Sequence, residues 1–167
     1  MDFNKILSTM EFSVAKLSIK NKGSNVKIGN YYTEVWNALA ENYGLVCEEK
    51  SYKTTDKGNG VKEIVWEWEA QKSVGDSFCN IKFKFTNNCF LVFEKENKVL
   101  GIFSMEYLLV FDPKKTWRNN SFLVSFLPYY IRYFYRQRIL GYAERYKGEL
   151  HSIEKKIRKL LNMSVFE

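Results

Sequence analysis

Three glutamates follow one another at short spacing in the segment VKEIVWEWEAQK. Glu63, Glu67 and Glu69 are separated by even numbers of residues, so on a β-strand they share one face. Paired carboxylates carry out general acid/base work, as in glycoside hydrolysis, when they lie about 5 to 10 Å apart, and strand neighbours satisfy that distance trivially. The same spacing is typical of a solvated strand face, so we interpret these residues as surface and predict no catalytic residue.

The other residue types that support catalysis or metal binding are sparse. His151 is the single histidine and lies among lysines and glutamates, which indicates exposure rather than a role in a catalytic triad. Cys47, Cys79 and Cys89 show neither CxxC nor Cys/His spacing, so we predict buried free thiols, no metal site and no cofactor. The glycines of DKGNG precede a second strand rather than a helix, which excludes a phosphate-binding loop. We lean against an enzyme and leave that question open.

A run of aromatic and basic residues, YYIRYFYRQR, occupies Tyr129–Arg138 and contains five aromatics and three arginines. Guanidinium groups bind phosphates through paired hydrogen bonds, and exposed tyrosines stack on unpaired bases. Alternatively, the arginines are solvated flanks of a packed helix, with their stems lying over aromatic rings. Peripheral membrane contact through the same face is also left open. The predicted polyanion-binding residues are Lys114, Lys115, Arg118, Arg132, Arg136, Arg138 and Tyr130.

The net charge of +7 is unevenly distributed along the chain. Up to Asp112 there are 14 basic and 15 acidic residues, whereas from Pro113 onward there are 12 basic and 4 acidic ones. All of the excess positive charge therefore lies in the last third of the chain. Such asymmetry indicates a polyanionic partner, either nucleic acid or an anionic membrane.

The length of 167 residues predicts one domain, residues 1–167, with a core of its own. The N-terminus MDFNKILSTM has an acid at position 2 and no long apolar core, which argues against a secretory signal. No segment approaches the roughly 20 apolar residues that span a bilayer, so we predict no transmembrane segment. With unpaired cysteines, these features favour a cytoplasmic location.

Residues 11–112 are predicted to be mainly β, with one helix over residues 30–43 that is capped by Asn30 and ends before Gly44. The first 20 residues are ambiguous, and we favour a strand over residues 11–20 followed by the loop NKGSN. Alternating residues predict further strands, joined by turns at DKGNG, VGDS, Asn87–Asn88 and EKENK. Short connections between neighbouring strands require a largely antiparallel sheet.

A helical segment over residues 121–161 is predicted to follow DPKKTWRNN, with Pro128 either kinking it or marking its true start. Apolar residues then recur at spacings of three and four, which predicts one stripe of about eight turns. We therefore predict an α+β fold in which a curved antiparallel sheet packs against a long C-terminal amphipathic helix. The stripe consists of Ile131, Tyr135, Ile139, Tyr142, Tyr146, Leu150, Ile153, Ile157 and Leu160.

The order of strand, helix, antiparallel meander and long C-terminal helix resembles the helix-grip fold of the START and polyketide-cyclase-like superfamily. The segment VKIGNYYTEVWNALAENYGLV resembles its early strand-to-helix region, and the resemblance spans residues 11–161. KEIVWEWEAQK and the basic helix are also similar to small archaeal proteins of no assigned chemistry. The superfamily resemblance implies a cavity between the sheet and the helix.

Inward-facing aromatic residues are predicted to line that cavity, although a filled core is the alternative. The leading hypothesis is a non-catalytic binding protein that holds a small apolar or amphipathic ligand. The alternative is a basic adaptor that docks on RNA, a ribonucleoprotein or another polyanion, and an enzyme that uses the cavity comes third. The predicted ligand-binding residues are Trp66, Trp68, Phe83, Phe85, Tyr107, Leu109, Tyr135 and Ile139.

Overall fold

A computed structural model describes residues 9–24, 28–93 and 97–161. Five antiparallel strands form one curved sheet in the order β1-β5-β4-β3-β2, which confirms the predicted α+β fold class. The strands are β1 (Glu11–Ser24), β2 (Val46–Gly58), β3 (Val61–Asp76), β4 (Cys79–Phe93) and β5 (Asn97–Phe111). The helices are α1 (Ile28–Asn37), continued by a π-helical turn (Ala38–Asn42), then α2 (Ser121–Tyr129), a second π-helical turn (Tyr130–Tyr135) and α3 (Arg136–Leu160).

The two faces of the sheet differ because the strand residues alternate in character. On β3, Ile64, Trp66, Trp68 and Ala70 are buried beneath the helices, while the intervening glutamates lie on the outer face. The edge strand β2 is exposed along most of its length. The core of the described chain therefore lies between the inner face of β1, β3, β4 and β5 and the helices.

The C-terminal helical segment lays its apolar stripe on this inner face. Leu127, Ile131, Tyr135 and Ile139 are buried at intervals of four residues. In an α-helix four residues rotate by about 400°, so a stripe with this spacing would drift away from the sheet. The wider π-helical turn rotates less per residue and offsets that drift. The stripe continues through Tyr146, Leu150, Ile153 and Ile157, which are buried, with Tyr142 and Leu160 half-buried.

Pro128 was predicted either to kink this segment or to mark its true start, and the second alternative is wrong. Pro128 lies inside α2 and does not mark the start of the helix. The segment begins at Ser121, where the side chain of Asn120 accepts hydrogen bonds from the backbone N–H groups of Phe122 and Leu123. This is N-cap geometry, in which an asparagine satisfies donors of the first turn. At the other helix, α1 begins at Ile28, so Asn30 is not its N-cap.

The turn predicted at Asn87–Asn88 is wrong, because both residues lie within β4. Asn87 is buried on the inner face and is paired with Trp66 on β3 and with Phe103 on β5. Two long partner strands thus override the turn propensity of asparagine. Opposite Cys89, the strands approach so closely that a Cβ on Gly101 would lie 2.3 Å from the carbonyl oxygen of Asn88. Glycine is therefore required at this point of β5.

Of two other connections predicted from the sequence, one forms and one does not. The hairpin at DKGNG forms between β2 and β3, with positive φ at Asn59 and Gly60. The strand predicted over residues 11–20 forms, but the loop predicted at NKGSN is wrong because β1 continues to Ser24 by pairing with β5. Residues 1–8 and part of the EKENK loop, residues 94–96, lie outside the described residues.

Candidate functional site

The eight predicted ligand-binding residues come together in one hydrophobic cluster between the sheet and the helices. Each of them is at most 1% exposed. The ring of Phe83 stacks on those of Phe85 and Tyr107 at centroid distances of 6.1 and 5.3 Å. Offset-stacked aromatic contacts of this kind are those of a packed core. The cluster consists of rings in contact with one another, so a ligand placed here must displace side chains.

Two small voids adjoin this core. One, of about 10 Å³, lies between the sheet and the end of α3 and is lined in part by Ile19, Asn87 and Leu161. The other, also of about 10 Å³, lies between α1 and α3 beside Leu39 and Ile153. A water molecule needs about 10–15 Å³ by this measure, so each void is at the limit of holding one.

A half-buried carboxylate, that of Asp76, joins the end of β3 to the C-terminal helical segment. Asp76 accepts hydrogen bonds from the hydroxyls of Tyr135 (2.5 Å) and Tyr142 (3.2 Å), from the backbone N–H of Phe78 (2.8 Å) and from Arg138 (3.4 Å). We call these residues the Asp76 cluster. The Asp76 carboxylate accepts from several donors at once, and these bonds offset the loss of hydration that partial burial costs it.

The pKa values in the Asp76 cluster argue against proton transfer near neutral pH. Burial would raise the pKa of Asp76, but the hydrogen bonds from Tyr135, Phe78 and Tyr142 outweigh it and lower that pKa below its ordinary value. Burial and the neighbouring carboxylate raise the pKa of Tyr135 and of Tyr142. Near pH 7 the carboxylate is therefore ionised and both phenols are protonated. The cluster holds the helix on the sheet rather than supplying an acid or a base.

The three glutamates of β3 lie on the outer face of the sheet, as predicted, where lysines engage two of them. Glu69 lies 2.8 Å from Lys82, and Glu63 lies 2.8 Å from Lys57. Burial would raise the pKa of Glu69, but the hydrogen bond from Lys82 and the charges of Lys82, Lys50 and Lys84 together outweigh it and lower that pKa. Beside Glu69 an open polar groove of about 380 Å³ runs between β2, β3 and β4, and it includes Glu48 and Asn80.

The three cysteines and the histidine are the remaining candidates for a nucleophile or a metal ligand. Burial raises the pKa of Cys47 to about 11, of Cys79 to about 12 and of Cys89 to about 11, so the thiols stay protonated and unreactive. His151 is exposed and faces Glu154 at 3.4 Å within the same helix. Across residues 9–24, 28–93 and 97–161, no three His, Cys, Asp or Glu side chains are grouped as a metal site.

An aromatic cluster beneath α1 was not predicted as a group. The ring of Tyr32 packs edge-on against Trp68 (4.7 Å), Trp66 (5.6 Å) and Tyr52 (6.1 Å), and Trp36 packs edge-on against Trp68 (5.2 Å). The Tyr32 hydroxyl donates a hydrogen bond to Glu49 on β2. Burial, and then Glu49, raise the pKa of Tyr32 to about 12. The spacing of four between Tyr32 and Trp36 is the signal that one helix face carries both rings.

The first half of the C-terminal helical segment presents aromatic and aliphatic side chains to solvent. Tyr129 and Tyr133 lie two positions beyond buried stripe residues, so they point away from the sheet. Phe122 is 75% exposed, Phe134 69% and Tyr133 67%, values that set them apart from any core residue. We define the basic–aromatic face as the exposed residues Phe122, Val124, Phe126, Tyr129, Tyr133 and Phe134 with Arg132, Arg136 and Arg138.

The arginines of the basic–aromatic face differ in their partners. Arg138 pairs with Asp76, whereas within the described chain neither Arg132 nor Arg136 forms an ion pair with a carboxylate. The guanidinium of Arg132 lies 5.7 Å from the centre of the Tyr133 ring, an arrangement that leaves its N–H groups available. Arg132 and Arg136 are therefore the two cations of this face that are most available to an anionic partner.

The preceding loop contributes more positive charge, although not all of it is free. Lys114 and Lys115 are exposed, while Arg118 contacts the buried carboxylate of Asp112 at 3.6 Å. Tyr130, predicted to stack on a base, is half-buried and packs on Trp117 with ring centroids 4.5 Å apart. Tyr129 and Tyr133 offer more free ring area than Tyr130 does.

Sequence reasoning had not assigned Phe122, Val124, Phe126 and Phe134 to an exposed face. The segment SFLVSFLPYYI is apolar on every side, so its pattern does not reveal which side contacts the sheet. Only the position of the buried residues Leu127 and Ile131 in the fold identifies the outward face.

No family model matches the chain, and a search of curated proteins found no match. Among solved structures, the chain is similar to the di-domain aromatase/cyclase BexL from the BE-7585A biosynthetic pathway, with 11% identity and a TM-score of 0.21. The match covers 85% of this chain, which spans about half (52%) of the BexL chain. A likeness at this TM-score carries no argument about fold or function. The resemblance to the START superfamily stays a prediction, and nothing found supports the archaeal resemblance.

Across the described helices, none combines the length and the apolar character needed to cross a bilayer.

Proposed function

We propose that this chain is a non-catalytic binding protein that docks on a polyanionic surface through its basic–aromatic face. One observation carries the proposal. Residues 113–140 contain six basic residues and no acidic one, and the same stretch exposes six large aromatic or aliphatic side chains before Leu140. Arg118 and Arg138 pair with carboxylates outside this stretch, whereas Arg132 and Arg136 have no carboxylate partner among the described residues. Basic side chains left without a counter-charge attract an oppositely charged partner over distances of several ångströms.

The apolar component of the face supports a docking role over mere solubility. Exposed charges keep a surface solvated, but the rings of Phe122, Tyr133 and Phe134 present apolar area to water, which is unfavourable. Contiguous exposed apolar side chains rimmed by charge are typical of interaction sites. The proposal includes a cytoplasmic setting, because the three cysteines are free thiols.

The non-catalytic part of the proposal rests on the chemistry of the described side chains. The carboxylates that lie close together are engaged by lysines or tyrosines, and the thiols are held protonated by burial. None of these groups has a pKa shifted toward neutrality, which acid/base catalysis requires.

Binding of the full chain to heparin at increasing salt concentration tests the proposal. The double variant Arg132→Glu/Arg136→Glu should lose binding and show a flatter salt dependence, because fewer counterions are released. Its matched control is Lys147→Glu/Lys155→Glu, the same charge change at two exposed positions of α3 outside the face. Equal losses in the two variants would reduce the effect to net charge, and no binding by the unmodified chain at low salt would contradict the proposal.

A second candidate function is the binding of a small apolar ligand between the sheet and the helices. The observation that favours it is the aromatic cluster beneath α1, where Tyr32 and Trp36 cover Trp66 and Trp68. Because the voids next to the core are only about 10 Å³ each, the ligand could enter only if α1 moved away from the sheet.

Native mass spectrometry of the purified chain, together with tryptophan emission during titration with an apolar dye, tests this second candidate. A bound apolar adduct, or a change in emission without loss of secondary structure, would support it. A bare mass and an unchanged emission spectrum would contradict it.

A further inference from the structure

We infer that the polyanionic partner is the headgroup layer of an anionic lipid bilayer, into which Phe122 and Phe126 insert. This inference rests on the proposed function, because it identifies the partner of the same basic–aromatic face. It depends on three features of the described residues: the distribution of charge along the segment, the capping of the first helical turn and the chemistry of the outermost side chains.

The stretch of sequence that contains Phe122 and Phe126 carries no charged side chain. Between Arg118 and Arg132 the sequence NNSFLVSFLPYYI contains no ionisable acid or base except the two tyrosines. Basic residues bracket this stretch, with Lys114, Lys115 and Arg118 before it and Arg132, Arg136 and Arg138 after it. Apolar residues flanked by Lys and Arg are the pattern of a helix that lies in the membrane interface.

Three backbone donors in the first turn of α2, those of Phe122, Leu123 and Val124, have partners within the chain. Asn120 Oδ1 accepts the N–H groups of Phe122 (3.1 Å) and Leu123 (3.2 Å), and the Asn120 carbonyl accepts that of Val124 (2.9 Å). The Ser125 hydroxyl donates to the carbonyl of Ser121 at 3.2 Å. A helix start that inserts below the headgroups needs such internal partners, because lipid tails supply none. The same capping occupies two of the N–H groups with which a helix start would otherwise bind phosphate.

The outermost side chains suit lipid better than nucleic acid. The side chains of Phe122 and Phe126 have no hydrogen-bonding atom. Bases are held by rings interleaved with basic groups, whereas these two rings lie in residues 119–131, a run without a charged side chain. Tyr129 comes between Phe126 and Arg132 along the helix, and Tyr133 is the neighbour of Arg132. Amphipathic rings of this kind are enriched at the headgroup level. Arg132 and Arg136 would then lie among the lipid phosphates.

Sedimentation of the full chain with vesicles tests the inference. We expect binding to vesicles of equal parts phosphatidylcholine and phosphatidylserine, and weak binding to phosphatidylcholine alone. The double variant Phe122→Ser/Phe126→Ser should reduce the partition coefficient for the mixed vesicles by about tenfold or more, because it removes the inserting apolar groups. Its heparin binding should fall by much less than its vesicle binding, because all six basic residues are kept. Arg132→Glu/Arg136→Glu should lose both activities.

A fluorescence measurement provides a second test that does not depend on the folding of the double serine variant. In Phe122→Trp, emission should shift to the blue on addition of the mixed vesicles and should not shift with heparin, after subtraction of the signal of the unmodified chain. Insertion of the indole below the headgroups predicts that difference.

The outcomes separate the inference from the proposed function. Binding to heparin and to single-stranded RNA without binding to mixed vesicles would overturn the lipid inference and leave a nucleic acid as the partner. Full vesicle binding by Phe122→Ser/Phe126→Ser, or no shift in Phe122→Trp, would also overturn it while the proposed function stands. Failure to bind any of the three polyanions would contradict both.

Discussion

The C-terminal helical segment has two halves, residues 121–138 and residues 139–160. Both carry a net charge of +3, but different numbers of basic and acidic residues produce it. The first half reaches it with three arginines and no acidic residue, and it exposes six large hydrophobic side chains. The second half reaches it with six basic and three acidic residues, and Leu140 is its one exposed large hydrophobic residue among the described positions.

In the second half, two of the acidic residues are paired with basic side chains. Glu154 accepts two hydrogen bonds from Arg158, one turn further along, at 2.8 and 2.9 Å. Glu149 lies 3.4 Å from Lys72 of the sheet. Such a face is satisfied by its own groups and by water. The first half leaves Arg132 and Arg136 without a carboxylate partner among the described residues, although Arg138 pairs with Asp76. Composition alone therefore does not distinguish a solvated face from a binding face, whereas pairing does.

The largest expected effect concerns the buried stripe, which both halves share. Ile139→Asp should lower the free energy of unfolding by about 3–5 kcal/mol, because it buries a charge without a partner. The adjacent variant Leu140→Asp is the control, since Leu140 faces solvent and should change stability by no more than about 0.5 kcal/mol. Thermal and urea unfolding measure both. Equal and small changes would mean that the stripe does not pack on the sheet.

A smaller effect is expected at the contact that fixes the first half on the sheet. Tyr135→Phe removes the hydroxyl that donates to Asp76 and should cost about 1–3 kcal/mol, since a half-buried carboxylate loses a donor. Tyr133→Phe, two residues away on the exposed side, should cost almost nothing. Urea unfolding at neutral pH compares the two variants.

The same variant predicts a dependence on pH. The folded-state pKa of Asp76 is lowered, so its contribution to stability is present above the ordinary carboxyl pKa and is lost as the pH falls through the folded-state pKa. Tyr135→Phe removes one of the bonds that lower this pKa. The difference in unfolding free energy between the unmodified chain and Tyr135→Phe should therefore shrink as the pH falls below about 4. A difference that stays constant from neutral to acid pH would contradict this assignment.

The sequence predicts most of this architecture because its periodic signals are strong. Alternation on β3 places Trp66 and Trp68 inward, and the three-and-four spacing from Ile139 onward identifies the stripe of α3. It fails where a local preference conflicts with tertiary pairing. Asn87 and Asn88 favour a turn by type, yet β3 and β5 on either side hold them in a strand.

The candidate site was less predictable because it depends on which side chains face outward and which arginines are paired. The sequence alone shows neither. The arginines and tyrosines of YYIRYFYRQR are visible in the sequence, but Tyr130 turns inward while Phe134 turns outward. A π-helical turn over Tyr130–Tyr135 decides that orientation, and no residue type marks it in advance. Whether an arginine is paired, as Arg138 is with Asp76, depends on a strand 62 positions away along the chain.

The smallest effect tests the comparison of the two halves most directly, by truncating one arginine in each. Arg158→Ala removes an ion pair to Glu154 one turn away, and such pairs contribute about 0.2–0.5 kcal/mol in helices. Arg132→Ala removes a cation that has no carboxylate partner in the described chain, so its stability should change by less than the error of the measurement. Binding should show the opposite order: Arg132→Ala should weaken heparin binding and lower its salt dependence by about one counterion, while Arg158→Ala should leave both nearly unchanged. Urea unfolding and salt titrations on the same preparations decide it. If Arg132→Ala were destabilising and bound heparin normally, Arg132 would be a packed flank of the helix, and the distinction between a self-paired half and a binding half would fail.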